Sequence, residues 1–135
     1  VTDTQTRAET RRIPAPAINN ESKPFWDAAK EGRFLIKRCG DCGKAHWYPR
    51  VICPYCFSLN TKWEESPGEG VIYTFSVMFH TNVPYAIGYV TLNEGPAMLT
   101  NFVDCDLASL KIGQKVKLRF QPTENGPPVP VFAPA

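Results

Sequence analysis

The sequence predicts a mainly β protein in three parts: a short N-terminal helix, a small metal-binding ribbon and a five-stranded barrel. Three observations carry this reading. Cys39, Cys42, Cys53 and Cys56 form two Cys-x-x-Cys pairs with ten residues between them. From Val71 onward the chain is a series of strand-length apolar runs separated by Gly- and Pro-containing turns. Before the cysteines, one stretch carries helix signals at both ends. At 135 residues the chain fits one compact domain or two very small ones, and a part of about 40 residues needs a metal or disulfide to hold its fold.

Residues 1–20 have no hydrophobic period. Within them Arg11-Arg12-Ile13-Pro14-Ala15-Pro16 is restricted to extended backbone, because each proline fixes its own φ and biases the residue before it. An arm lying on a surface, its own or a partner's, is expected. Residues 22–32 read as a short helix, with Pro24 in the first turn, Asp27 near the positive N-terminal end and Gly32 as the stop. Phe25, Ala28 and Ala29 share its apolar face and Trp26 packs beside them.

Strands are expected over 33–38, leading into the first cysteine pair, over 45–48, leaving it, and over 60–65, returning antiparallel to close the ribbon. Ser66-Pro67-Gly68-Glu69-Gly70 reads as a hinge. The parts are therefore 1–32, arm and helix; 33–66, ribbon; and 67–135, barrel. In the barrel, 71–80 alternates with Tyr73, Phe75, Val77 and Phe79 on one face and Ile72, Thr74, Ser76, Met78 and His80 on the other. Residues 85–92 and 97–103 form a hairpin around Asn93-Glu94-Gly95-Pro96. Asp106 caps a helical turn over 106–110, and 115–121 and 129–132 make a second hairpin across Asn125-Gly126. Three strands, a short helical connection and two strands is the order of an OB-fold barrel.

The cysteines carry the chemistry. Each pair places two sulfurs on one tight turn, and the spacing lets the turns face each other around one ion. Zinc prefers four such ligands in a tetrahedron. A closed four-cysteine set leaves no position for water, so the ion, one per chain, is structural rather than catalytic. Lys37, Arg38, Lys44 and Arg50 surround the motif and offset its negative charge. Two redox pairs are the alternative, but a thioredoxin-like site sets one pair before a helix in a βαβ unit, which is absent. An odd cysteine number with four in metal spacing indicates a reducing compartment.

Other candidates rank below this set. His46 is a possible further ligand, but four cysteines complete the shell, so a surface or packing role is expected. Cys105, between Asp104 and Asp106, has a disfavoured thiolate and reads as structural. His80 is a conceivable general base with no nucleophile, acid or metal motif to accompany it.

No run approaches the ~18 apolar residues of a membrane span, and residues 1–12 lack an apolar signal core, so a cytoplasmic location is expected. Zinc ribbons and OB barrels also occur in single-strand nucleic-acid binders, which grip phosphates with a basic groove. From Val71 to Leu110 there is no Lys or Arg, which disfavours that class.

The order of Pro24-Phe25-Trp26, Arg38-Cys39-Gly40-Asp41-Cys42-Gly43, Asn93-Glu94-Gly95-Pro96, Ile112-Gly113-Gln114-Lys115-Val116 and Pro130-Val131-Phe132 resembles the DUF35 family over nearly the whole chain. Those proteins join a rubredoxin-like zinc ribbon to an OB fold. The resemblance implies a non-catalytic subunit in a heteromeric complex, binding and organising a thiolase-like enzyme that acts on acyl-CoA or related substrates, such as an acyltransferase or aldolase. It maps the metal ligands onto Cys39, Cys42, Cys53 and Cys56 and supplies no catalytic residue. Two alternatives stay open: a single-stranded nucleic-acid-binding module, and an acyl-CoA-binding enzyme using His80.

Overall fold

The computed structural model describes residues 13–135. The expected arm over residues 1–12 lies outside the described residues. Of the rest of the arm, Pro14 bridges Glu124, whose N–H donates to the Ile13 carbonyl at 2.8 Å, and Ala15 lies against Gly126. This part of the arm therefore rests on the chain's own barrel.

Helix α1 spans Lys23–Lys30. Asn19 closes its entry, since its Oδ1 accepts from both the Ser22 N–H and the Ser22 hydroxyl. Gly32, at φ 77°, ends it, and the Arg33 N–H reaches back to Ala28 at 2.9 Å. Phe25, Trp26, Ala28 and Ala29 are buried, as the spacing predicts. Asp27 differs: it lies beyond the first turn and pairs with Lys23 one turn earlier at 2.8 Å, where the helix dipole has little effect.

The ribbon is a three-stranded sheet in the order β2-β1-β3, with β1 Phe34–Cys39, β2 Ala45–His46 and β3 Thr61–Ser66. β2 is shorter than the predicted 45–48 because Trp47 and Tyr48 leave the ladder to pack on the helix. The Phe25 ring lies 4.8 Å from Trp26 and 4.8 Å from Trp47, centroid to centroid, and Trp26 Nε1 donates to the Tyr48 hydroxyl. Edge-to-face contacts of this kind add about 0.5–1.5 kcal/mol each beyond area burial.

The expected hinge is only Pro67 and Gly68, since β3 ends at Ser66 and β4 begins at Glu69. It is pinned. Gly68 adopts φ 71°, its carbonyl accepts from the Leu118 N–H at 2.7 Å, and a Cβ there would lie 2.6 Å from Leu118 Cβ. The Ser66 hydroxyl donates to Glu94 Oε2 in the opposite turn at 2.7 Å.

Strands β4 Glu69–Met78, β5 Tyr85–Leu92, β6 Ala97–Phe102, β7 Lys115–Thr123 and β8 Gly126–Pro134 close a barrel in the order β4-β5-β6-β8-β7. Asp106 caps the 3-10 turn Leu107–Ser109 by accepting from the Ala108 N–H, as predicted. β8 is longer than the predicted 129–132 despite four prolines. Its second edge meets β6 at the single pair Phe102–Phe132, so most of its prolines have no donor to supply there.

The predicted alternation over 71–80 is broken. A β-bulge between Ile72 and Thr74 leaves Tyr73 unpaired, so Ile72 before it and Phe75 and Val77 after it face the core while Tyr73 is exposed. Ribbon and barrel share one core, in which Phe25, Phe34 and Ile36 belong to the same buried cluster as Ile72, Val90, Phe102 and Phe132.

Candidate metal centre

β1 delivers Cys39 to the end of the ribbon, where the chain turns back on itself. The Cys39 N–H donates to the Lys44 carbonyl and the Gly43 N–H to the Cys39 carbonyl, each at 3.0 Å. The second pair repeats the turn: Cys53 N–H donates to Ser58 and Phe57 N–H to Cys53, each at 2.9 Å. Gly43 and Phe57 hold equivalent positions and both have left-handed backbone, at φ 77° and 63°. Glycine adopts this freely, whereas a side chain there costs about 1–2 kcal/mol.

The two turns bring all four sulfurs within 4.8 Å of one another. Cys39 Sγ lies 3.6 Å from Cys56 Sγ, and Cys42 Sγ lies 3.7 Å from Cys53 Sγ. A tetrahedral zinc with sulfur at about 2.3 Å requires edges of about 3.8 Å, so the donor set fits that ion with protein ligands in every position. Backbone amides already point at the sulfurs: Asp41 and Cys42 N–H at Cys39, and Tyr55 N–H at Cys53. The Cys42 amide, with that of Asp41, brings the Cys39 thiol down to about 6. Although the Ser58 N–H favours the Cys56 thiolate, burial and the Cys39, Cys53 and Cys42 sulfurs outweigh it and push Cys56 up to about 12. Four sulfurs this close all ionise only when a cation joins them.

The cations expected to offset this charge are engaged elsewhere. Arg38 makes two bonds to the Glu64 carboxylate and a third to the Gly43 carbonyl. Arg50 pairs with Glu21 at 3.2 Å, and Lys37 lies 4.5 Å above the Trp63 ring. Only Lys44 reaches the second turn, over the Tyr55 ring. Backbone dipoles replace the expected side-chain charges because the turns themselves aim amides inward.

Sequence reasoning missed the clasp between the turns. Asp41 accepts from the Ser58 hydroxyl with one carboxylate oxygen and from the Asn60 amide with the other. The Gly40 N–H donates to the Asn60 carbonyl at 2.7 Å, and a Cβ on Gly40 would strike the Asn60 side chain, 2.5 Å from its amide nitrogen. Ser58 and Asn60, two and four residues past Cys56, carry no signal of their own. We expect Asp41→Ala to weaken zinc retention by about 10–100-fold in chelator competition, since partners that orient ligands have effects of this size. An unchanged affinity would show that the cysteines alone set the site.

His46 stands apart from the sulfurs. It is buried, its Nε2 accepts from the Arg50 N–H at 3.3 Å, its Nδ1 has no partner among the described residues, and burial lowers its pKa, so it packs as a neutral ring. His80 is exposed beyond the end of β4, in the loop to β5. Cys105 is half-buried against the core cluster.

Comparison with known proteins matches both halves. A family model described as the rubredoxin-like zinc ribbon domain of ChsH2 matches residues 26–61, and one described as its C-terminal OB-fold domain matches residues 63–121. A DUF35 domain-containing scaffold protein of Methanocaldococcus jannaschii is 35% identical over 105 residues, covering 71% of this chain and 74% of that one. The chain belongs to the DUF35 family. Among solved structures, this DUF35 chain is similar to a chain of an Ltp2-ChsH2(DUF35) aldolase, with TM-score 0.76 and 31% identity, over 88% of this chain and 98% of the other. It is also 33% identical over 127 residues to a probable enoyl-CoA hydratase alpha subunit of Thermomonospora curvata, of whose length it spans 40%.

Proposed function

We propose that the chain is a non-catalytic subunit that binds and organises a thiolase-like enzyme acting on acyl-CoA or related acyl substrates, with one structural zinc held by Cys39, Cys42, Cys53 and Cys56. The observation that carries this is the likeness, over 98% of that chain's length, to a component of an Ltp2-ChsH2(DUF35) aldolase. The residues agree with it. The four clustered sulfurs would supply a ligand at every position of a tetrahedral ion, and His80 stands exposed in a loop rather than within a constellation. From Val71 to Leu110 no Lys or Arg is present to hold phosphates, which speaks against a nucleic-acid partner.

The test is to purify this chain and its thiolase-like partner separately and assay each alone and mixed. We expect no acyl transfer or carbon–carbon bond chemistry from this chain alone. The mixture should be active through an interface of roughly 1,200 Å² or more, with His80→Ala as active as wild type. Full activity of this chain by itself, or a partner that works equally well without it, would sink the reading. A hundredfold loss of turnover in His80→Ala with the complex intact would support an enzyme using that histidine.

A further inference from the structure

The second cysteine turn carries a conformational cost that the first, with Gly43 in the same place, avoids. Three non-glycine residues among the described ones have left-handed backbone: Asp104, Asn125 and Phe57. Asp and Asn tolerate it, whereas a bulky residue there is an outlier. Phe57 occupies the position that the first turn gives to Gly43, yet its ring is 77% exposed. Strain of this kind collects where a surface is used.

Phe57 is not isolated. Val51, Ile52, Tyr55 and Leu59 are also exposed, Leu59 by 71%, so one loop of nine residues around Cys53 and Cys56 presents five large apolar side chains. The loop's backbone is fixed by its two internal hydrogen bonds and by the Thr61 hydroxyl, which donates to the Val51 carbonyl at 2.7 Å. A rigid apolar tip loses little freedom when it docks. Along its own segment the charges have one sign, since from Gly43 to Lys62 the chain has Lys44, Arg50 and Lys62 and no Asp or Glu; the two carboxylates that reach it from outside are already engaged, Glu21 by Arg50 and the Val51 N–H, and Asp41 by Ser58 and Asn60. Lys44 and Arg50 lie over the Tyr55 and Tyr48 rings, and Arg50 also pairs with Glu21, so they border the apolar surface instead of forming an open phosphate cradle. This favours a protein groove with an apolar floor and carboxylates along its edge over a nucleic acid or an anionic membrane.

We propose that the loop around Cys53 and Cys56, with Phe57 as its anchor, is the surface that docks into such an acid-edged groove on the thiolase-like subunit. The inference rests on the function proposed above and assigns it a face. The left-handed backbone aims the Phe57 ring outward, and the metal turn holds it there.

The test separates folding from binding, because Phe57→Gly gives the second turn the residue that the first turn already uses. The probe is the thiolase-like subunit that co-purifies with the wild-type chain, titrated against wild type, Phe57→Gly, Leu59→Ser and Tyr73→Ser. We expect Phe57→Gly to keep one zinc per chain and an unchanged or raised melting temperature while its Kd rises at least about tenfold, as for a central anchor residue. Leu59→Ser, which leaves the hydrogen-bonded turn untouched, should weaken binding in the same direction and keeps the test informative should Phe57→Gly lose metal. Tyr73→Ser, on the barrel wall, should bind within about twofold of wild type. Wild-type affinity in both loop variants, or a loss confined to Tyr73→Ser, would overturn the assignment of the face while leaving the subunit role intact. A wild-type chain with which no thiolase-like subunit co-purifies would overturn both.

Discussion

Cys39→Ser is expected to release the zinc and to lower the stability of the barrel as well as the ribbon. Structural zinc in small ribbons contributes about 10–16 kcal/mol of folding free energy, comparable to the whole margin of about 5–15 kcal/mol of an ordinary domain. Cys39 is buried, receives two N–H groups at its sulfur and ends β1, so it ties the site directly to the sheet. A ribbon without its ion lets β1 and β3 separate. Because Phe34 and Ile36 on β1 share one core with Ile72 and Phe102, that separation exposes barrel side chains too. The measurement is elemental analysis together with thermal melting followed by β-sheet ellipticity, with Cys105→Ser as the comparison. We expect loss of zinc and of soluble yield in Cys39→Ser and little change in Cys105→Ser. A Cys39→Ser protein that melts like wild type with one zinc bound would remove the metal's structural role.

The second large effect is expected inside the barrel, at Gly88→Ala. Gly88 lies in the middle of β5, opposite Phe75 on one side and Thr100 on the other. The bulge at Tyr73 brings β4 so close that a Cβ on Gly88 would run into the Thr74 carbonyl oxygen and lie 2.7 Å from Phe75 Cα. Both obstacles are backbone and cannot rotate away. Overpacking of this kind costs about 3 kcal/mol or more, which lowers the melting temperature of a chain this size by about 10 °C. A melting temperature within about 2 °C of wild type would mean that β4 can draw back from β5 at little cost.

These two sites differ in how visible they are in the sequence. The cysteine pairs were legible because ligand spacing within each turn is local, and the barrel strands because alternation and turn residues repeat along the chain. The bulge was not, since it depends on the missing side chain of Gly88, fifteen positions after Tyr73 and on a different strand. For the same reason the alternation reading grouped Tyr73 with Phe75. The clasp of Asp41, Ser58 and Asn60 was hidden because its members become neighbours only after the turns have closed. Phe57 gave no warning either, as phenylalanine is not a residue that marks left-handed backbone. β8 runs beyond the expected 129–132 because the effect of its four prolines depends on which edge of the strand has a partner.

The short passage from ribbon to barrel has a consequence for assembly. Two residues, one of them locked against Leu118, leave the ribbon no room to swivel. The chain therefore acts as a set square rather than a tether. Two neighbours that gripped its two arms would be held at one angle and one spacing, and the freedom that a flexible tether surrenders on their arrival was already surrendered when the chain folded. The second grip then behaves as an intramolecular event, at high effective concentration for a neighbour whose geometry matches the angle and at almost none for one whose geometry does not.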